Sequence, residues 1–294
     1  MSHIRKLHKK KLITPPSHVV EGIQYETIMG SVAYGISNDT SDIDLYGFSI
    51  PNKEIVFPHL KGEILGFGRQ TERFNNYQEH HIMDNDSGKE YDVDVFNIVK
   101  YFQLLMDNNP NVIDSLYVPQ RCVLYCTQIG NLVRENRKVF LHKGSWFKFK
   151  GYSYSQMHKM RTKKPEGKRK ETVEKFGYDV KFATHVVRLL NEIEQILIEG
   201  DLNLERNREQ LKSIRRGEWT MEQIEEYFNN KEKFLEELYT KSKLQYRPDE
   251  KIIKELLLNC LEMYYGSIDR YIQREPESQM IINELKEIIS KYDR

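Results

Sequence analysis

The sequence predicts an α/β (α+β) fold, with a mixed sheet in the first half and a mostly helical C-terminal half. Three observations carry this. Segments with strand-like alternation cluster before about residue 125. Helical periodicity takes over from about Gln128. A Gly30-Ser31 pair at the end of one candidate strand is followed about a dozen residues later by Asp42-Ile43-Asp44, which opens another. Two domains are expected, residues 1–125 and 126–294, and 294 residues are enough to give each its own core.

In chain order, Tyr25–Met29 alternates like a strand and runs into Gly30, and Ser31 opens a short helix. A polar turn, Ser37 to Ser41, leads to a strand over Asp42–Ile50, with Pro51-Asn52 as a breaker. Glu54–Phe57, Ile64–Phe67 and Tyr91–Val95 are further candidate strands. Gln70 to Glu90 is polar and reads as a long surface loop. Apolar Phe96, Ile98, Val99, Phe102, Leu105 and Met106 fit an amphipathic helix, which ends at Asn108-Asn109-Pro110-Asn111; Val112 to Tyr117 begins another element. The second half shows one long stripe over Val173–Glu199 (Phe176, Val180, Ala183, Val187, Leu190, Ile193, Leu197) that stops at Gly200. Thr220 and Gln223 form a candidate capping box for a helix to about Tyr239. Pro248-Asp249 precedes a third helix, and a fourth is expected over Ser278–Tyr292. Lys163 to Lys170 reads as a mobile loop.

The Gly30–Phe48 stretch has a chemical logic. Glycine lets backbone approach a phosphate closely, and N–H groups at a helix start favour an anion. Asp42 and Asp44 lie two apart on a strand, so both carboxylates share a face and can share a hard divalent cation. Nucleotidyl transfer, with attack on an α-phosphorus and loss of pyrophosphate, uses two such ions and three carboxylates. The third should stand on a neighbouring strand, where Asp92 and Asp94 both qualify. Asp39 and Asp84 sit in turn-like contexts. Adjacent His80-His81 raises a zinc site, but neighbours on an extended chain point apart and no spaced third ligand follows, so a loop or substrate-contact role is preferred. On a helix, Lys181, His185 and Arg188 are spaced four and three and project from one face; the alternative is a solvated stripe paired to acids such as Asp179 and Glu192. Tyr178 could stack on a base or anchor the core.

Charge narrows the partners only locally. The formal net charge is +1, whereas Lys143 to Lys170 holds ten basic residues against the single acid Glu166. That stretch is either a set of solvated faces or a surface for a polyanion. Cys122, Cys126 and Cys260 lack a disulfide or zinc pattern and read as reduced thiols. No apolar run approaches the roughly 18 residues that cross a bilayer, and the N-terminus lacks a signal-type apolar region, so a cytoplasmic protein is expected.

These residues together resemble the RNA-repair-pathway DNA polymerase β family (RlaP), within the polymerase β-like nucleotidyltransferases. The similarity rests on Met29 to Gly35, Ser41 to Asp44, Asp92 ahead of a helix, Asn109-Pro110-Asn111, Gly151-Tyr152 through Gln156, and Gly177-Tyr178-Asp179-Val180-Lys181 through His185 to Arg188-Leu189-Leu190. It covers about residues 23 to 200. One departure is Asp114, where the family often has glutamate. The resemblance implies a nucleotidyltransferase that transfers NMP from ATP or another nucleoside triphosphate, with two Mg²⁺ (or Mn²⁺) ions on Asp42, Asp44 and Asp92. It implies phosphate or nucleotide contacts from Gly30, Ser31, Tyr178, Lys181, His185 and Arg188, and an RNA end, such as a damaged tRNA, as acceptor. A protein or small-molecule hydroxyl, or a non-catalytic nucleotide-binding module, are the rival readings. Asp94 stays an alternative to Asp92 on spacing.

Overall fold

The computed structural model describes residues 2–38, 41–56, 74–163 and 168–266, together with residue 285. A five-stranded mixed sheet sits at its centre. Its strands are β1 (Ile23–Ile28), β2 (Ile43–Ser49), β3 (Asn76–Asp84), β4 (Lys89–Asn97) and β5 (Val123–Cys126), in the order β3-β4-β2-β1-β5. β2 and β4 run parallel, and the other neighbours are antiparallel.

Alternation along β2 and β4 separates the two sheet faces. Ile43, Leu45, Tyr91, Val93 and Val95 point to a smaller core completed by Ile4, Leu7, Ile13 and Val19 from the N-terminal helices α1 (His3–Lys9) and α2 (Ser17–Glu21). There the buried Glu26 carboxylate accepts hydrogen bonds from the Ser2 hydroxyl and from the backbone N–H groups of His3 (2.6 Å) and Ile4 (3.2 Å). A strand carboxylate thus satisfies orphan donors at the start of α1. On the opposite face, Phe48 and Phe96 join a large core shared with the helices.

Those helices are α3 (Gly30–Ala33), α4 (Lys53–Val56), α5 (Ile98–Met106), α6 (Pro110–Tyr117), α7 (Gln128–Glu135), α8 (Ser145–Thr162), α9 (Lys168–Phe176), α10 (Val180–Glu199), α11 (Arg208–Arg215), α12 (Met221–Lys241) and α13 (Glu250–Tyr265). α10 is the axle of the helical half, with α8, α11 and α12 packed around it. Its apolar stripe, Val187, Leu190, Ile193 and Leu197, is buried as the periodicity predicts. The main core is continuous from Tyr25 on β1 to Leu261 on α13.

Local signals explain most boundaries. Asn97, Asn109, Thr127, Asp179 and Asp249 cap α5, α6, α7, α10 and α13 through their side chains, and Pro110 occupies the first turn of α6. The Thr220–Gln223 capping box forms in full. Three expectations need correction. The described part of Glu54–Phe57 is helical and not a strand, since Lys53–Val56 forms a short helix; Phe57 lies outside the described residues. Gln70 to Glu90 is not one long loop: residues 76–84 are an edge strand, joined to β4 by a turn at residues 85–88. The stripe over Val173–Glu199 is two helices, broken where Gly177 takes φ +83°. Within the expected Lys163–Lys170 loop, residues 168–170 begin α9. The candidate strand Ile64–Phe67 and helix Ser278–Tyr292 lie outside the described residues, apart from residue 285.

Candidate active site

The parallel register of β2 and β4 places Asp44 opposite Asp92, Tyr46 opposite Asp94 and Phe48 opposite Phe96, all on the face toward the helices. The row becomes apolar as it approaches the core. Asp42 stands just outside β2 and is exposed. Asp44 is more enclosed, and burial, reinforced by the neighbouring charges of Asp92 and Asp42, pushes its carboxyl up to about 6. Lys181 and His80 act in the opposite sense on Asp44. The register therefore brings Asp92, rather than Asp94, alongside Asp44. Asp94 is held one rung further in by the amides of Asn76 (3.4 Å) and Gln78 (3.5 Å), and burial lifts it to about 6 as well.

The edge strand completes this corner in a way the sequence did not announce. Between Glu79 and Ile82 the β3–β4 register slips, and His81 takes φ +56°. The bulge aims the His81 N–H at Asp92 Oδ1 (2.8 Å) and brings His80 Nδ1 to 3.5 Å from the same oxygen. The His81 ring turns away to Glu90, at 2.6 Å. The two histidines do diverge, as adjacent strand residues should. They flank a carboxylate from a bulge, however, and not from a loop. Asp84 is also accounted for, as the acceptor for Lys10 at 2.8 Å and for the Ser87 hydroxyl at 2.9 Å. Asp39 lies outside the described residues.

Gly30 adjoins the carboxylates from β1. Met29 N–H donates to the Asp44 carbonyl at 2.7 Å, and the chain then turns into α3 with Gly30 at φ +63°. A Cβ at Gly30 would collide with Asp44 Oδ2. Glycine is required here both by the positive φ and by the close approach. Ser31 follows, half-buried, and its hydroxyl has no hydrogen-bond partner among the described residues. The turn is braced from behind: Arg121 donates to the Val32 carbonyl at 3.3 Å, and the Tyr34 hydroxyl donates to Asp114 Oδ2 at 2.7 Å.

The Lys181, His185 and Arg188 stripe divides by depth. Lys181 is exposed at the start of α10 and within electrostatic reach of Asp44. His185 is half-buried and held well below the usual histidine range by desolvation, then by Arg188, Lys181, Arg215 and Arg169. Arg188 is buried at 3% exposure. Its guanidinium pairs with Asp114 and with Glu192 at 2.9 Å and lies over the Tyr34 ring. The structure therefore does not bring Arg188 to the open site; it is an internal strut between α10, α6 and the turn after Gly30. Tyr178 is likewise buried, its hydroxyl donating to the Trp219 carbonyl at 2.7 Å, which makes it a core anchor and not a surface platform.

Two cations that the sequence reading missed converge near Lys181. Arg169, on α9, reaches Asp179 at 3.4 Å and lies over Phe182. Arg215, the last residue of α11, is half-buried, and burial, with Arg169 pushing the same way, lowers its pKa. Its Nε has no hydrogen-bond partner among the described residues. Cationic charge is thus gathered around His185 near the start of α10, with Lys181 within electrostatic reach of Asp44. Arg215 approaches from a separate helix, α11, so no local sequence pattern links it to Lys181.

Among the described residues no three Asp, Glu, His or Cys side chains form a ready metal cage. The Asp44–Asp92 pair nonetheless fits a hard cation. The crowding that lifts Asp44 is what a bound divalent ion relieves. Magnesium is also commonly held by one or two carboxylates together with substrate phosphates, not by an all-protein cage.

No curated protein matches the chain. Among solved structures, a nucleotidyltransferase-like protein from Exiguobacterium sibiricum 255-15 aligns with 92% of this chain and 79% of its own length, at 10% identity and a TM-score of 0.29. Among the described residues no helix is long and apolar enough to cross a membrane. A family model matches residues 4–265, which takes in the whole sheet, the carboxylate row and the helices around α10. The chain belongs to the RNA repair pathway DNA polymerase β family, polymerase β-like nucleotidyltransferases associated with RNA repair.

Proposed function

We propose that the protein is a metal-dependent nucleotidyltransferase that moves NMP from a nucleoside triphosphate to the hydroxyl of an RNA end, in a cytoplasmic setting. One observation carries the reading: the Asp44–Asp92 rung is in contact with the Gly30 turn, and Lys181 at the start of α10 is within electrostatic reach of Asp44. A carboxylate pair beside a tight glycine turn and a lysine is an arrangement a metal-bound polyphosphate would satisfy.

In this reading Gly30 and Ser31 present backbone N–H groups and the Ser31 hydroxyl to the β- and γ-phosphates. Asp42, Asp44 and Asp92 hold Mg²⁺ or Mn²⁺, with Asp94 in a supporting position on the next rung. When bound, two such ions supply activation of the acceptor hydroxyl and neutralisation of the leaving pyrophosphate. Lys181 and Arg215 balance the triphosphate charge, and His185, neutral in the folded protein, can accept or donate one hydrogen bond there. The acceptor oxygen forms the new bond to the α-phosphorus as the bond to pyrophosphate breaks, and the acceptor proton leaves to solvent or to a carboxylate.

The test is transfer of α-phosphorus label from each of the four ribonucleoside triphosphates to total RNA with Mg²⁺ or Mn²⁺, beside a variant with Asp42→Ala and Asp44→Ala. Labelled RNA that disappears in the variant is the expected result. Metal-dependent triphosphate binding without labelled RNA would move the acceptor to a protein or small molecule. No triphosphate binding at all would leave a non-catalytic module.

A further inference from the structure

Two motifs that the carboxylate row does not use, Asn109-Pro110-Asn111 and Gly151-Tyr152, meet at one open cleft. It has a volume of about 400 Å³ and lies between the α5–α6 junction and α8, within the size range of small-ligand sites. Leu104 and Pro110 give it an apolar floor, while Asn111, Lys148 and Tyr152 line it with polar groups. Asn109 is committed to capping α6, accepting from Val112 N–H. The Asn111 amide, the Lys148 ammonium and the Tyr152 hydroxyl have no hydrogen-bond or ion-pair partner among the described residues. By contrast Lys150, two residues further along α8, is tied to Glu232 and Glu236 at 2.7 Å each. One lysine is left unpaired beside one half-buried tyrosine, while the neighbouring lysine is neutralised.

The cleft is also related to the site through Tyr46. Tyr46, the next residue after Asp44 on the same face, is within electrostatic reach of both Asp44 and Tyr152, and both tyrosines pack against the main core. The charge balance argues against a second triphosphate site. Lys148 is the cleft's single cation, and Asp107 on its rim is an anion. A flat ring to stack on, an amide to read an edge, a carboxylate able to accept from ribose hydroxyls and one cation match a single nucleotide unit of a strand.

Resting on the nucleotidyltransferase reading above, we propose that this cleft is the acceptor subsite: it takes one nucleotide of the single-stranded RNA end, with its base on Tyr152, its base edge at Asn111 and its phosphate at Lys148.

The experiment uses the full chain and a fluorescein-labelled single-stranded RNA of about 12 nucleotides. RNA affinity is measured by anisotropy over a range of salt, and ATP affinity with Mn²⁺ is measured separately on the same proteins. Tyr152→Ala is expected to weaken RNA binding roughly tenfold, and Tyr152→Phe to restore it to within about twofold, because stacking needs only the ring. Lys148→Ala is expected to reduce the salt slope by about 0.7, the contribution of one single-strand phosphate. ATP affinity should hold in all three variants and fall in Asp44→Asn. RNA affinity insensitive to Tyr152→Ala and Lys148→Ala would overturn the proposal. So would a fall in ATP affinity instead, which would make the cleft the donor-nucleotide pocket, or a wild-type protein with no salt-sensitive RNA binding. Failure of the broader reading looks different, as an absence of metal-dependent ATP affinity in the wild type, and the RNA measurements are read independently of it.

Discussion

Asp44 and Asp92 share one rung of a parallel strand pair, and burial, reinforced by the charges of Asp92 and Asp42, lifts the Asp44 carboxyl. Asp44 is shifted upward relative to the unfolded chain, so its ionisation opposes folding. The stability it allows is fully present below about pH 4 and is lost as pH rises through about 6.

Asp44→Asn should therefore raise the stability of the metal-free protein at about pH 7.5, by roughly 1–2 kcal/mol once partial solvation is allowed for. It should also abolish transfer. Urea melts with and without Mn²⁺ check both halves: the ion should stabilise the wild type and leave Asp44→Asn unmoved. An equal metal-induced shift in the two proteins would place the ion elsewhere.

Arg188 belongs to the framework. Two carboxyls, Asp114 and Glu192, share its buried guanidinium, and Asp114 also accepts from Tyr34 behind the Gly30 turn. Arg188→Met leaves two buried acids without their shared cation, which should cost about 3–5 kcal/mol. Lys181→Ala, at an exposed position, should change stability by no more than about 0.5 kcal/mol while weakening triphosphate binding. Denaturant midpoints set against nucleotide affinity separate the two roles. A stable Arg188→Met protein with lost nucleotide affinity would restore Arg188 to the site.

The contrast between Lys181 and Arg188 shows what the sequence could and could not express. Spacing of four and three puts both on one helical face, and that is correct. A face has no depth, however: α10 enters from the surface at Lys181 and is enclosed by α8, α11 and α12 by Arg188. The Gly30 turn, the Asp44 strand and its partner at Asp92 were legible because each depends on local conformation and a period of two. β3 was not, because an edge strand lined with Asn76, Gln78, His80 and His81 has no apolar alternation to detect. Arg215 was hidden for a third reason: it approaches the site from a separate helix, and only packing reveals it.

Gly30 gives a sharper test of the turn. Alanine there meets a strained φ of +63° and a Cβ that displaces the Asp44 carboxylate. Because Asp44 is a side-chain end that can swing aside, the protein should still fold. The displaced carboxylate should lower the transfer rate roughly a hundredfold, the scale of a misplacement of about 1 Å. A Gly30→Ala protein with wild-type transfer and wild-type metal affinity would show that the contact with Asp44 is incidental.

His185 sets an acid limit on stability, opposite in sign to that of Asp44. Burial and the cations Arg188, Lys181, Arg215 and Arg169 hold its pKa well below the 6.5 of the unfolded chain. Below that value the unfolded state takes up a proton that the folded state refuses, so stability is present above about pH 6.5 and is lost as pH falls. The Asp44 effect overlaps this window, and the wild-type curve alone does not separate them. The difference between wild type and His185→Gln does, since glutamine is polar and does not titrate. From about pH 7.5 to about pH 5 the wild type should lose stability relative to His185→Gln, with the gap widening steadily below about pH 6.5. Saturating triphosphate should narrow the gap, because an anion beside the four cations relieves the repulsion that keeps His185 neutral. Parallel curves over the whole range would mean that His185 titrates alike in both states, and the cationic group would then lose its strongest internal witness.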